Sequence, residues 1–201
     1  MHTLIDLAWQ DSWILPLAYG LGCFSTGYYL VRWRTGKDIR TLGSRSTGAT
    51  NVGRTLGTTG FLLTVLGDGG KGALAVGIPL FAGLSLPAGA LCALAATLGH
   101  IFPAQLRFSG GKGVAVAVGA LVVLDPFLVL IFALAAAVGY VTTRRKVAAG
   151  LVGFLSVVPT AWLRGYSLGM DLVLLALVVL VFWAQRKNIQ FLLQGKSGAG
   201  A

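Results

Sequence analysis

Two short polar runs carry the residue types that bind anions. The first is Gly43-Ser44-Arg45-Ser46-Thr47-Gly48-Ala49-Thr50-Asn51, with Arg54 close behind, and the second is Gly110-Gly111-Lys112-Gly113. Glycines let backbone N–H groups approach an anion closely, hydroxyls and an amide add directed hydrogen bonds, and Arg or Lys supplies charge. Each run leads into an apolar stretch long enough to form a helix, whose first N–H groups and macrodipole favour negative charge. Phosphate is the natural ligand for such loops. ATP is not the first expectation, because Lys112 is followed by Gly113 where a nucleotide P-loop has Ser or Thr. The same residues also fit plain turns between spans, with Lys112 laying its stem along apolar surface.

Other catalytic chemistries lack their residues. The sequence contains no Glu, and its six acidic residues are all Asp. Of the two histidines, His2 and His100, the second is followed five positions later by Gln105, so an acyltransferase base of the His-then-Asp type is excluded. Neither a serine triad nor a His-rich metal site can be assembled. No cofactor and no metal are expected. Catalysis would have to come from positioning and electrostatics, with the proton acceptor borrowed from a substrate.

The elements that hold these loops are membrane spans. Of 201 residues, 56% are hydrophobic and 11% charged, too little charge to surround a soluble core of this size. The net charge of +10 does not point to nucleic acid, because the basic residues gather in short loops between apolar runs. The 29 glycines suit close helix packing in lipid, and Cys23 and Cys92 fall in apolar runs as packed thiols. Apolar runs near residues 13–31, 57–84, 86–103, 113–124, 127–143, 147–163 and 169–184 predict an all-α polytopic membrane protein of seven helices, some short or broken, as one domain over 1–201 with a flexible tail at 195–201. The run 113–124 is short, and 57–84 is expected to break at Gly67-Asp68-Gly69-Gly70-Lys71-Gly72. That stretch echoes Gly110-Gly111-Lys112-Gly113, as a duplicated loop-to-helix device or as simple low complexity, and Asp68 can neutralise Lys71 three residues on.

Basic residues set the orientation. Arg32, Arg34, Lys37, Arg40, Arg45 and Arg54, then Arg107 and Lys112, then Arg144, Arg145 and Lys146, and finally Arg186, Lys187 and Lys196 all assign to the cytoplasm. Asp6, Asp11, Asp125 and Asp171 assign to the other face with Arg164, so the N-terminus is expected outside and the C-terminus inside. The first twelve residues carry no Lys or Arg, unlike the basic start of a cleaved signal, and Trp9, Trp33, Trp162 and Trp183 lie near span ends as interface anchors.

With these runs in place, the chain resembles the acyl-phosphate:glycerol-3-phosphate acyltransferase family (PlsY). The segment Gly43 to Arg54, then Gly67-Asp68 with Lys71-Gly72, then Gly99-His100-Ile101-Phe102-Pro103, then Gly110 to Ala115, and the tail Arg186-Lys187-Asn188-Ile189 follow that family's order and spacing. The resemblance implies a bacterial inner-membrane enzyme with its active site on the cytoplasmic side. It would acylate the 1-hydroxyl of glycerol 3-phosphate from acyl phosphate, giving lysophosphatidic acid and inorganic phosphate, with membrane lipids around it and no nucleic-acid partner. By the same resemblance Lys112, Arg54 and Asn51 are the expected catalytic residues. Gly43, Ser44, Ser46, Gly48, Thr50, Gly110, Gly111, Gly113, His100, Arg144 and Asn188 are the expected substrate-binding residues. His100 also fits a structural hydrogen-bonder at a helix end, and Arg144 a plain basic cluster facing anionic lipid. The chain departs from the family at Ser46-Thr47, usually Asn-Pro, at Arg145-Lys146-Val147, where a serine-containing stretch is usual, and at Gln185, usually His; the acidic residue expected after Gly195 is also missing. These departures keep a second reading open: a weakly active paralogue, or a carrier of anions or lipid phosphates, using the same pocket.

Overall fold

The computed structural model describes residues 12–194; the expected tail 195–201 and the residues Asp6, Trp9 and Asp11 lie outside them. The described residues form an all-helical membrane bundle. In chain order the helices are α1 Ile14–Cys23, α2 Thr26–Thr35, α3 Ala49–Phe81, α4 Leu86–Ile101, α5 Val114–Leu124, α6 Pro126–Thr143, α7 Lys146–Leu163, α8 Leu168–Ala184 and α9 Arg186–Leu193. Helix α4 runs through the middle against α1, α3, α5 and α8, and α6 pairs with α7. Its inward residues are small, with Ala88, Ala90, Ala93 and Ala96 fully buried, which brings neighbouring backbones close. Larger apolar residues such as Leu66, Val138, Val141 and Leu155 remain exposed on the outside, where lipid would cover them. Both cysteines are buried free thiols.

Five helical stretches are long and apolar enough to cross a bilayer, or six if α8 and α9, bent by 62°, count as one broken span. The expected count of seven is not reached on that basis. The first run is two helices broken at Phe24-Ser25, and α5 has 11 residues, about 16 Å at 1.5 Å per residue, too short to cross alone.

Helix α3 does not break where its glycines predict. It stays helical through Gly67–Gly72 and kinks instead at Gly57, whose φ of 73° lies in the left-handed region. The glycines serve packing. A Cβ on Gly72 would lie 2.1 Å from the Val116 carbonyl oxygen, and one on Gly119 would lie 2.0 Å from the Gly69 carbonyl oxygen, so α3 and α5 are in backbone contact. The echo between the two glycine runs is therefore not a repeated loop-to-helix device: one copy is mid-helix, the other a loop. Lys71 pairs with Asp68 at 3.1 Å, as the three-residue spacing suggests, and has further partners. Its ammonium donates to the carbonyl oxygens of Gly22 and Phe24 at 2.9 and 2.5 Å, and the Gln105 amide donates to that of Cys23, so three successive carbonyls at the α1–α2 break have side-chain donors.

Candidate active site

The first polar loop is built around Asn51. Its side chain is buried, accepts the Ser44 N–H at 3.0 Å, and donates to the carbonyl oxygens of Leu42 and Ser46 at 3.0 and 2.9 Å and of Ile39 at 3.3 Å. Gly43 has a φ of 50°, and a Cβ there would fall 2.3 Å from Asn51 Oδ1, so glycine makes room for this clamp. At the loop's start Asp38 accepts the Arg40 backbone N–H and its guanidinium, which holds the Asp38 carboxyl below the usual carboxylate range. Arg40 also donates to the Leu106 carbonyl oxygen at 2.7 Å, tying this loop to the next one.

The second loop is pinned to the end of α4. The N–H of Gly110 donates to Ile101 O at 3.1 Å and that of Gly111 to His100 O at 3.0 Å. A Cβ on Gly110 would lie 2.1 Å from His100 O, and Gly113 turns the chain into α5 with a φ of 78°. These restraints fix the loop that carries Lys112.

Both loops open on one cleft of about 350 Å³, within the size range of small-molecule sites. Its polar end carries Ser44, Ser46, Thr50, Lys112, Lys146, Gln185 and Asn188, with Asp68 and His100 deeper, and its apolar wall is Phe61, Val65, Val114, Val118 and Val147. The first residues of α3, α5 and α7 all line it. None of those three helices has a side-chain N-cap, whereas α4, α6 and α8, which run back toward the cleft, start with capping Ser85, Asp125 and Ser167. Three helix N-termini thus meet the cleft without a side-chain cap, and their dipoles favour negative charge there. Burial lowers the pKa of Lys112, and the nearby Arg54 charge lowers it further.

Among the expected site residues, Ser44, Ser46, Gly48, Thr50, Asn51, His100, Lys112, Gly113 and Asn188 line this cleft. Gly43, Gly110 and Gly111 stand behind it as loop geometry. Arg54 is exposed outside the lining, though near enough for its charge to act on Lys112. Arg144 does not line the cleft: its backbone, with φ 55°, closes the C-terminus of α6, and Lys146 on the first turn of α7 is the cation that faces inward. From the basic cluster Arg144, Arg145 and Lys146, able as a group to bind phosphate, the expectation singled out Arg144, whereas Lys146 is the one that lines the cleft. The expectation also took Gln185 only as a departure, while in the structure Gln185 accepts the Asn188 amide at 2.6 Å in the cleft wall.

The fold and cleft define a polytopic helical membrane protein whose cleft brings Lys112, Lys146 and three helix N-termini beside an apolar wall. The family model for glycerol-3-phosphate acyltransferase matches residues 12–195. Glycerol-3-phosphate acyltransferase 1 of Desulfitobacterium hafniense (strain Y51) is 43% identical over 196 residues, covering 93% of each chain. The glycerol-3-phosphate acyltransferase of Methylobacillus flagellatus is 39% identical over 180 residues, 89% of this chain and 91% of the relative. Among solved structures, the glycerol 3-phosphate form of PlsY (YgiH), an integral membrane glycerol 3-phosphate acyltransferase, superposes with a TM-score of 0.85 at 28% identity over 92% of each chain. Its lysophosphatidic acid form gives 0.82 at 26% identity, again over 92% of each. The chain belongs to the glycerol-3-phosphate acyltransferase family.

Proposed function

We propose that this protein transfers an acyl group from acyl phosphate to the 1-hydroxyl of glycerol 3-phosphate, giving lysophosphatidic acid and inorganic phosphate. The observation that carries the reading is the meeting of three uncapped helix N-termini with Lys112 and Lys146 around one cleft that has an apolar wall. Phosphoryl groups suit the polar end. An acyl chain suits the wall of Phe61, Val65 and Val118.

The mixed anhydride is already activated, so the chain has to align the reactants and neutralise the leaving group. The hydroxyl oxygen bonds to the acyl carbon, the bond from that carbon to the phosphate oxygen breaks, and the hydroxyl proton passes to a phosphate oxygen of the donor. Lys112 opposes the charge that grows on the departing phosphate, with Arg54 raising the local positive potential. Asn51 acts by holding the loop that presents Ser44 and Ser46, since its amide is already occupied by four backbone partners. Gln185 and Asn188, in the wall of the same cleft, are assigned to the glycerol hydroxyls. We assign the cleft to the cytoplasmic face of a bacterial inner membrane, with the N-terminus outside and 1–201 acting as one domain, because the basic segments gather at the cleft end.

The test is turnover by purified protein. Acyl phosphate with glycerol 3-phosphate should yield equal amounts of inorganic phosphate and lysophosphatidic acid, and acyl-CoA with the same acceptor should yield none. Lipid product from acyl-CoA, or phosphate release without lipid, would overturn the reading.

A further inference from the structure

We infer that His100 presents its Nε2–H to a phosphoryl oxygen in the cleft, and that Lys71 beneath it is the positioning residue that fixes this tautomer. The inference rests on the reading of the cleft as a phosphate site. Lys71 Nζ lies 2.9 Å from His100 Nδ1, besides the carbonyl oxygens of Gly22 and Phe24 at 2.9 and 2.5 Å. An ammonium has three N–H groups and no lone pair. Three donors meet three acceptors, and Asp68 Oδ1, 3.1 Å away but outside hydrogen-bond geometry, supplies the counter-charge in this buried site. Nδ1 must therefore be the bare nitrogen of the ring. The ring proton sits on Nε2.

The residue packed against Nε2 is Gly111. A Cβ there would lie 2.0 Å from Nε2, so any side chain at 111 would displace the imidazole from its place in the cleft wall that His100 helps to form. The backbone makes the arrangement rigid, since His100 O also accepts the Gly111 N–H at 3.0 Å. A neutral imidazole held in this way is a fixed donor, able to bind a phosphoryl oxygen without itself giving up or taking a proton.

The chain has only two histidines, so a full-length His2→Ala protein labelled with ¹⁵N-histidine reports on a single ring. The expected spectrum shows an unprotonated Nδ1 and a protonated Nε2, and added inorganic phosphate shifts the Nε2 resonance. A proton on Nδ1, or an Nε2 signal that phosphate leaves unmoved, would overturn the inference. Lys71→Met should release the ring into a mixture of tautomers. Because that variant removes a buried ion pair and can fail to fold, a second pair carries the kinetics. His100→Gln, whose amide nitrogen reaches the Nε2 position, should keep KM for the phosphate substrates, while His100→Phe should raise it about 10- to 100-fold, the scale of one hydrogen bond to a charged group. Equal KM values for the two variants would sink the donor role. Absence of acyl transfer in the unmodified protein together with a phosphate-dependent Nε2 shift would count against the proposed reaction and for this donor.

Discussion

Asn51 Oδ1 accepts the backbone N–H of Ser44 at 3.0 Å, so one buried amide on the first turn of α3 sets the shape of a loop seven residues away. Its Nδ2 meanwhile faces three carbonyl oxygens. Asn51→Asp should therefore harm the protein more than Asn51→Ala, because a carboxylate would turn an acceptor toward carbonyls and leave a buried charge with the Ser44 N–H as its one donor here. The alanine variant loses several hydrogen bonds at about 1 kcal/mol net each. Thermal melts in detergent, with KM for glycerol 3-phosphate, check the order; an aspartate variant as stable as the parent would remove the clamp from the argument.

Lys112 sets binding against stability. Burial first, and the Arg54 charge second, lower its pKa in the folded protein. Between that value and the unfolded one the folded state holds fewer protons, so stability rises with pH through the window, and the penalty is fully present below the folded pKa. Lys112→Met should raise the melting temperature of the ligand-free protein near neutral pH while lowering kcat about 10²- to 10³-fold. Activity of the parent should fall on the alkaline side earlier than an ordinary lysine predicts, and Arg54→Gln should move that limb to higher pH. A limb that ignores Arg54 would separate the two charges.

Glycines that look alike in the sequence should respond in opposite ways. Gly72→Ala and Gly119→Ala place a methyl within 2.1 and 2.0 Å of a backbone oxygen across the α3–α5 contact. Separating the helices should cost about 1–3 kcal/mol. A Cβ on Gly70 or Gly150 meets nothing within 4 Å. Alanine at those helical positions should be neutral or stabilise by about 0.4–1 kcal/mol through the unfolded chain. Melting temperatures of the four variants decide it, and equal losses at all four would mean that helix contact is not what selects glycine.

That contrast marks what could be read in the sequence. Hydropathy and the clustering of Arg and Lys were enough for a polytopic helical bundle, and the paired Gly-rich loops were enough to point to the cleft that both of them line, because each depends on local composition. The position of the break in α3 was not legible: Gly57 and Gly67–Gly72 offer the same backbone freedom, and only the proximity of α5 shows that the second group serves contact. Lys71 was likewise obscured by Asp68 three residues earlier, since its other partners, Gly22, Phe24 and His100, come from elements far along the chain. Lys146 was hidden among three adjacent cations, of which only the helical register of α7 selects one for the cleft.

At the end of the bundle away from the cleft, Asp125 joins three elements. It caps α6 by accepting the Phe127 N–H at 2.8 Å, pairs with Arg164 at 3.0 Å and accepts the Tyr166 hydroxyl. Burial pushes the Asp125 carboxyl up, but the Tyr166 and Phe127 hydrogen bonds and the Arg164 charge outweigh it, and the net direction is below the ordinary carboxylate value. A depressed folded pKa stabilises the fold above the unfolded pKa and loses that contribution as pH falls through the folded one. Melting temperature should therefore decline on acidification below the usual aspartate range, and Asp125→Asn should remove that part of the decline. Asp125→Ala, which also loses the cap, should cost about 1 kcal/mol at neutral pH from the cap alone. Turnover should change little in either variant, because the cluster lies at the start of α6 and the end of α7 while the cleft is formed by the opposite ends of α5, α7 and α8. A loss of kcat at unchanged stability would show that the two ends of the bundle are coupled through α5.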